Sequence, residues 1–114
     1  MAKRKGERKE EVVRSSGNVF ADLGFPDAEE RQTKVRLAAA INQLLNQRRL
    51  SQSAAARRLG INQPKVSALL NYKLQGFSVE RLLRFLTALD QDVKIVIRSK
   101  PRSRRSARIV VTAA

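Results

Sequence analysis

The sequence predicts a mainly α-helical domain, a bundle of four to five helices followed by one C-terminal β-strand. Three observations predict it. Apolar residues make up 42% of the 114 residues and aromatics only 4%. A core must therefore be built from Leu, Ile, Val and Ala, which suits helix packed on helix. From Asp27 onward, apolar residues recur at three- and four-residue spacing, the period of a buried helical stripe. Between Ser51 and Asn71, two short segments each open on a capping residue and meet at Gly60.

The elements follow in order. Residues 1–14 carry six basic and three acidic side chains and almost nothing apolar before Val12. Such a segment buries too little surface to offset its ordering entropy, and a flexible basic tail is expected. Residues 15–26 read as an irregular arm, with Val19, Phe20, Leu23 and Phe25 set among turn-formers. The globular domain is expected over 27–92. Asp27 is expected to cap its first helix, with Glu30 completing a capping box. The stripe expected to face the core is Val35, Ala38, Ile41, Leu44 and Leu45. Glu29 and Glu30 at the start, and Arg48 and Arg49 at the end, suit the helix dipole.

A second helix is expected from Gln52 to Leu59, capped by Ser51 and stopped by Gly60. A third runs from Gln63 to Leu70, capped by Asn62. Pro64 is tolerated there because first-turn N–H groups have no intrahelical partner. After the loop YKLQGF, a fourth helix spans about Val79 to Leu89 behind Ser78. Its apolar face is Val79, Leu82, Leu83, Leu86 and Leu89, with Phe85 beside it. Val93–Arg98, VKIVIR, is β-branched and alternating, which predicts a strand. Residues 99–114 form a second basic tail, expected to be flexible.

Charge and composition bound the function. There are 24 Lys and Arg against 10 Asp and Glu, a formal +14. That field attracts polyanions, nucleic acid first and an anionic membrane surface second. No apolar run approaches the ~20 residues of a bilayer span, and residues 1–14 lack the apolar stretch of a signal peptide, so a cytoplasmic protein is expected. The chain has no Cys and no His. Disulfides, thiol chemistry, zinc fingers and His-based catalysis are thereby excluded. No catalytic site, cofactor or metal is expected. Asp90 and Asp92 have no third ligand near them in sequence, and turn capping explains them better than a metal.

The segment SQSAAARRLGINQPKVSALLNYK reads as two short helices joined by a tight turn. Ala55 is small enough for a close helix crossing. Gly60 falls where the chain reverses, at a positive φ that is cheap only for glycine. Ile61 and Val66 pin the turn, and Leu59 and Leu69 continue into the core. Asn62, Gln63, Lys65 and Ser67 are polar residues that no core needs, and they open the second helix. In helix-turn-helix proteins that end enters the major groove. Gln63 can present its amide bidentately to an adenine edge. Lys65 can reach a guanine or a phosphate, and Ser67 can bond either. Asn71, Tyr72 and Lys73, at the far end, are placed to touch the sugar-phosphate backbone. Gln52, opening the first helix, can hold a phosphate with the local N–H groups. Arg57 and Arg58 read as a solvated face.

LSQSAAARRLGINQPKVSALLN resembles the lambda-repressor, or XRE, type of helix-turn-helix. The resemblance implies a lambda-repressor-like bundle in which Gln52 binds a backbone phosphate and positions Gln63. The wider pattern, SSGNVFADLG before the motif and GFSVERLLRFLTALDQDVKIVIR after it, resembles a HigA-like antitoxin subgroup. That implies a repressor of its own operon that neutralises an mRNA-cleaving toxin of the RelE/HigB type. The resemblance covers roughly Ser15 to Arg98, and it assigns the basic tails no role. A stand-alone repressor without a toxin and a charge-driven, non-specific nucleic-acid binder are the alternatives.

Helix-turn-helix proteins commonly bind palindromic double-stranded DNA as two-fold dimers, with half-sites ~34 Å apart. The strand supplies a joint. Val93, Ile95 and Ile97 share one face, expected to pack on the helices, and a lone strand must pair. Its partner is either a second copy, making a homodimer, or the arm near Val19. The apolar arm either folds back on its own domain or meets a partner protein.

Overall fold

The computed structural model describes residues 27–113, apart from the side chain of Asp27. The tail and arm expected over 1–26 lie outside the described residues. Four helices run through the rest: α1 (Asp27–Gln47), α2 (Gln52–Leu59), α3 (Gln63–Leu70) and α4 (Val79–Ala88). The chain divides into two compact units. One is built on Lys34–Lys94, and the other joins the start of α1, up to Thr33, to Ile95–Thr112.

The helical unit is organised by where its apolar residues fall. On α1 the buried residues are Leu37, Ala38, Ile41 and Leu45. At about 100° per residue these four share one face. Val35, expected in the stripe, lies more than a quarter-turn off that face and is 40% exposed. Leu44, at its edge, is half-buried. α2 packs against both α3 and α4. It contributes Ala55, Ala56 and Leu59 to the core, and α3 contributes Val66 and Leu69. Ala55 is 1% exposed, and its small size suits a position between packed helices.

α4 buries Leu82, Phe85 and Leu86 and leaves Val79 and Leu83 half-buried, and Leu89, its C-cap, is buried too. Phe85 therefore belongs to the core, where the sequence pattern set it at the margin. The α3–α4 loop adds Leu74 and Phe77, both buried, although YKLQGF read as loop alone. Phe77 meets Phe85 edge-to-face, with ring centroids 5.9 Å apart. Each fully buried Leu, Ile or Phe contributes about 1.5–3 kcal/mol from its removal from water.

The arginines after α1 and in α2 close the end of α4. Arg58 donates to the Ala88 carbonyl at 2.9 Å, and Arg48 donates to that of Leu89. Those are among the last carbonyls of α4, which no intrahelical N–H can reach. Asp90, in the left-handed region at φ 64°, accepts from Arg58 at 2.7 Å and lies 3.6 Å from Arg48. Arg58 is thus not a purely solvated residue, and the Asp90 carboxylate pairs with arginines, whereas the sequence predicts a turn cap there.

In the second unit, the Glu29 carboxylate accepts the N–H of Ile109 at 3.0 Å. Buried Thr33 donates its hydroxyl back to the Glu29 carbonyl at 2.9 Å. A turn at Pro101–Arg104 is closed by the Arg104 N–H on Pro101 and by Lys100 on the Arg104 carbonyl.

The strand expected over Val93–Arg98 is not formed. No strand occurs among the described residues, and Val93, Ile95 and Ile97 are 37%, 74% and 92% exposed. They are not buried as expected. The reason is physical: strand N–H and C=O groups are satisfied only across a paired edge. The four helices close their bonds internally and offer no such edge.

Candidate nucleic-acid interface

The two-helix motif is held by local chemistry that the sequence spells out. Ser51, extended at φ −68° and ψ 165°, caps α2 by accepting the Ala54 N–H at 3.1 Å. Gly60 ends α2 at φ 73°, and its N–H and that of Ile61 both return to the Ala56 carbonyl. This left-handed stop makes the turn sharp. Two residues later the chain is extended again at Asn62, whose side chain accepts the Lys65 N–H at 2.9 Å and starts α3. Val66 is wholly buried, while Ile61 is only half-buried. Of the two expected pins, Val66 holds the core and Ile61 covers its edge.

Asn42 of α1 fixes the other end of α3. Its amide donates to the Leu69 carbonyl at 3.1 Å, and its buried Oδ1 has no hydrogen-bond partner. α3 is thereby tied at both ends, by a cap at Asn62 and by a side chain from α1 at Leu69.

The expected contact residues divide by what else they do. Gln52 and Gln63, each the first residue of its helix, are exposed. Asn62 is exposed, but its oxygen is engaged as the cap. Ser67 is half-buried, and its carbonyl accepts the Asn71 amide at 2.9 Å. Asn71 is thereby occupied in ending α3. Tyr72, left-handed at φ 58° and 45% exposed, and Lys73, also exposed, stand just beyond α3.

Lys65 has an aromatic neighbour that the sequence pattern does not show. It is half-buried, with its ammonium 5.4 Å from the Phe77 ring centroid. Its ammonium lies against the α3–α4 loop, near Phe77 and Gly76. Arg81 of α4 approaches the same ring, with its Cζ 5.9 Å from the Phe77 centroid and 5.8 Å from that of Phe85. The sequence reading missed Phe77 and Arg81. A signal was present: Phe77 stands just before the Ser78 cap and Leu82 four residues after it, the pattern of a hydrophobic staple.

Electrostatically the motif has one sign. From Ser51 to Val79 the chain contains Arg57, Arg58, Lys65 and Lys73 and no acidic residue. The next carboxylate, Glu80, is paired with Arg84 at 3.1 Å. The polar groups exposed at the starts of α2 and α3 are the amides of Gln52 and Gln63. No group of His, Cys, Asp and Glu that could hold a metal occurs among the described residues. No helix among them is long and apolar enough to cross a membrane.

Known proteins agree with this geometry. A family model described as a helix-turn-helix domain matches residues 19–98. No curated protein matches the chain. A solved structure named "Putative XRE Family Transcriptional Regulator" is 74% identical. The match covers 78% of this chain and 100% of that one, with a TM-score of 0.76. With the model spanning α1 to α4 and that identity over the relative's whole length, this chain belongs to the XRE family of helix-turn-helix proteins.

Proposed function

We propose that this protein is a sequence-specific DNA-binding transcriptional repressor whose α3 enters the major groove with Gln63 as its base reader. The observation that carries this reading is the exposed Gln63 at the first position of a short helix anchored at both ends. An amide held there can meet an adenine edge with donor and acceptor together. Gln52, Ser67, Tyr72 and Lys73 supply backbone contacts, with Asn62 and Asn71 shaping the two ends of α3. The +14 charge draws the duplex in.

The test is a gel-shift titration against the protein's own promoter DNA, with scrambled competitor at moderate salt. Retention against the scramble is expected. Gln63→Ala should weaken specific binding by about 1–3 kcal/mol and relax preference at one position. Equal competition by the scramble would favour the charge-driven binder instead.

Two finer parts belong to the same reading. The protein acts as a homodimer on a palindromic site, with Val93–Arg98 pairing as a strand with its counterpart in a second copy. The exposed, β-branched run at Ile95, Val96 and Ile97 supports this. Monomer alone in a dilution series at micromolar concentration would refute it. The resemblance of the flanks to HigA-like antitoxins further supports a toxin partner of the RelE/HigB type. Co-purification with the product of an adjacent reading frame tests that part. A stand-alone repressor would purify without it.

A further inference from the structure

We propose that Lys65, Arg81 and Phe77 form one preorganised clamp for the DNA phosphate backbone, in which Lys65 and Arg81 meet phosphate and Phe77 is the positioning residue. The proposal deepens the DNA-binding reading and rests on it. Two cations from different helices converge on one ring: the Lys65 ammonium at 5.4 Å and the Arg81 guanidinium at 5.9 Å from the Phe77 centroid. Both lie within the about 6 Å over which a ring quadrupole attracts a cation. Phe77 itself cannot swing away. It is 2% exposed and braced edge-on by Phe85.

Neither cation forms a salt bridge among the described residues, whereas Arg48, Arg58 and Arg84 all do. Each is held by the ring quadrupole and not by a carboxylate, so its charge stays available to an anion. The backbones beneath them are fixed as well. The Lys65 N–H is held by the Asn62 cap and that of Arg81 by the Ser78 cap at 3.1 Å. Gly76 of the loop adjoins the ammonium: an added Cβ there would stand in ordinary contact, 3.5 Å from Lys65 Nζ.

A lysine held on a ring beside the loop is poorly placed to read a guanine edge. It is well placed as a point charge for phosphate. Holding the cations in advance lowers the side-chain ordering cost of binding. The Lys65 left open by the sequence between base and backbone is thereby assigned to backbone.

The experiment is a mutant cycle on the full chain, read as DNA affinity against salt for operator and scrambled duplexes. Lys65→Met and Arg81→Met keep the aliphatic stems. Each should weaken both duplexes severalfold alike and lower the salt slope by about 1. Phe77→Leu should cost about two- to fivefold in affinity, and that loss should vanish in the Lys65→Met, Arg81→Met double variant. Should Phe77→Leu fail to fold, Gly76→Val crowds the ammonium seat from an exposed position. Its effect should likewise disappear once Lys65 is Met. Equal losses in both backgrounds would overturn the positioning role. A changed base preference in Lys65→Met, or no effect of either cation, would overturn the clamp. Failure of the wild-type protein to prefer operator over scramble would instead strike the repressor reading, which the phosphate slopes do not test.

Discussion

The helix-turn-helix over Ser51–Asn71 and the segment over Val93–Thr112 are both rich in branched apolar residues, and their side chains end in opposite environments. Val66 and Leu69 are wholly buried, while Ile97 is 92% exposed and Ile109 and Val110 more than half exposed. Apolar content is not what separates them. The first segment contains its own start and stop signals, Ser51, Gly60 and Asn62, and its helices satisfy backbone groups along their own length. The second has the alternation of a strand but no edge to join. A helix can be completed locally, and a strand cannot.

That comparison can be broken or sharpened by substitution, with the largest effect expected in the core. Leu69→Ala should destabilise the fold by about 2–5 kcal/mol, because neighbours tied on both sides cannot collapse into the cavity. Urea unfolding checks it, and a cost near zero would mean that α3 is not packed as described. Gly60→Ala should cost about 1–2 kcal/mol, since φ 73° is unfavourable for a residue with a Cβ. No atom lies within 4 Å of the added Cβ, so the loss is conformational and not a clash. Ser51→Ala should remove about 1 kcal/mol by freeing the Ala54 N–H. Ser51→Asp should restore most of it, which thermal melts can resolve. Ile97→Ala should change the unfolding of the monomer by less than about 0.5 kcal/mol. The same change should weaken self-association if this segment joins two copies.

Much of the candidate site was legible before the fold. Caps at Ser51, Asn62 and Ser78, the left-handed Gly60 and the helix limits they imply all follow from short-range rules, and each is observed. The exposure of Gln52 and Gln63 follows as well, because both are polar residues that no core needs. Less legible was anything decided between elements. Val35 was set in the core stripe because three-four spacing has more than one solution, and only the facing helices select Leu37. Phe85 looked marginal on its own helix, yet the Phe77 ring from the loop makes that position interior.

The cationic side chains show the same limit. Arg58 reads as solvated until the end of α4 is brought to it, and a pair between Arg58 and Asp90 spans 32 residues. Being exposed, that pair contributes little energy, on the order of 0–1 kcal/mol. Its role is to close a helix end. Lys65 reads as a free reaching lysine until Phe77 is placed beside it.

By itself the sequence determined the helices, their caps, the turn between α2 and α3, the sign of the charge and the exclusion of thiol and histidine chemistry. These depend on residue types a few positions apart, or on totals. The tertiary structure alone decided which face of α1 is buried, that Phe77 and Phe85 form an aromatic core, where Lys65 and Arg81 rest, and that Val93–Arg98 is not a strand in the single chain. Each of those depends on what a residue meets across the fold, and the distance between two side chains on different helices is not encoded in either helix alone.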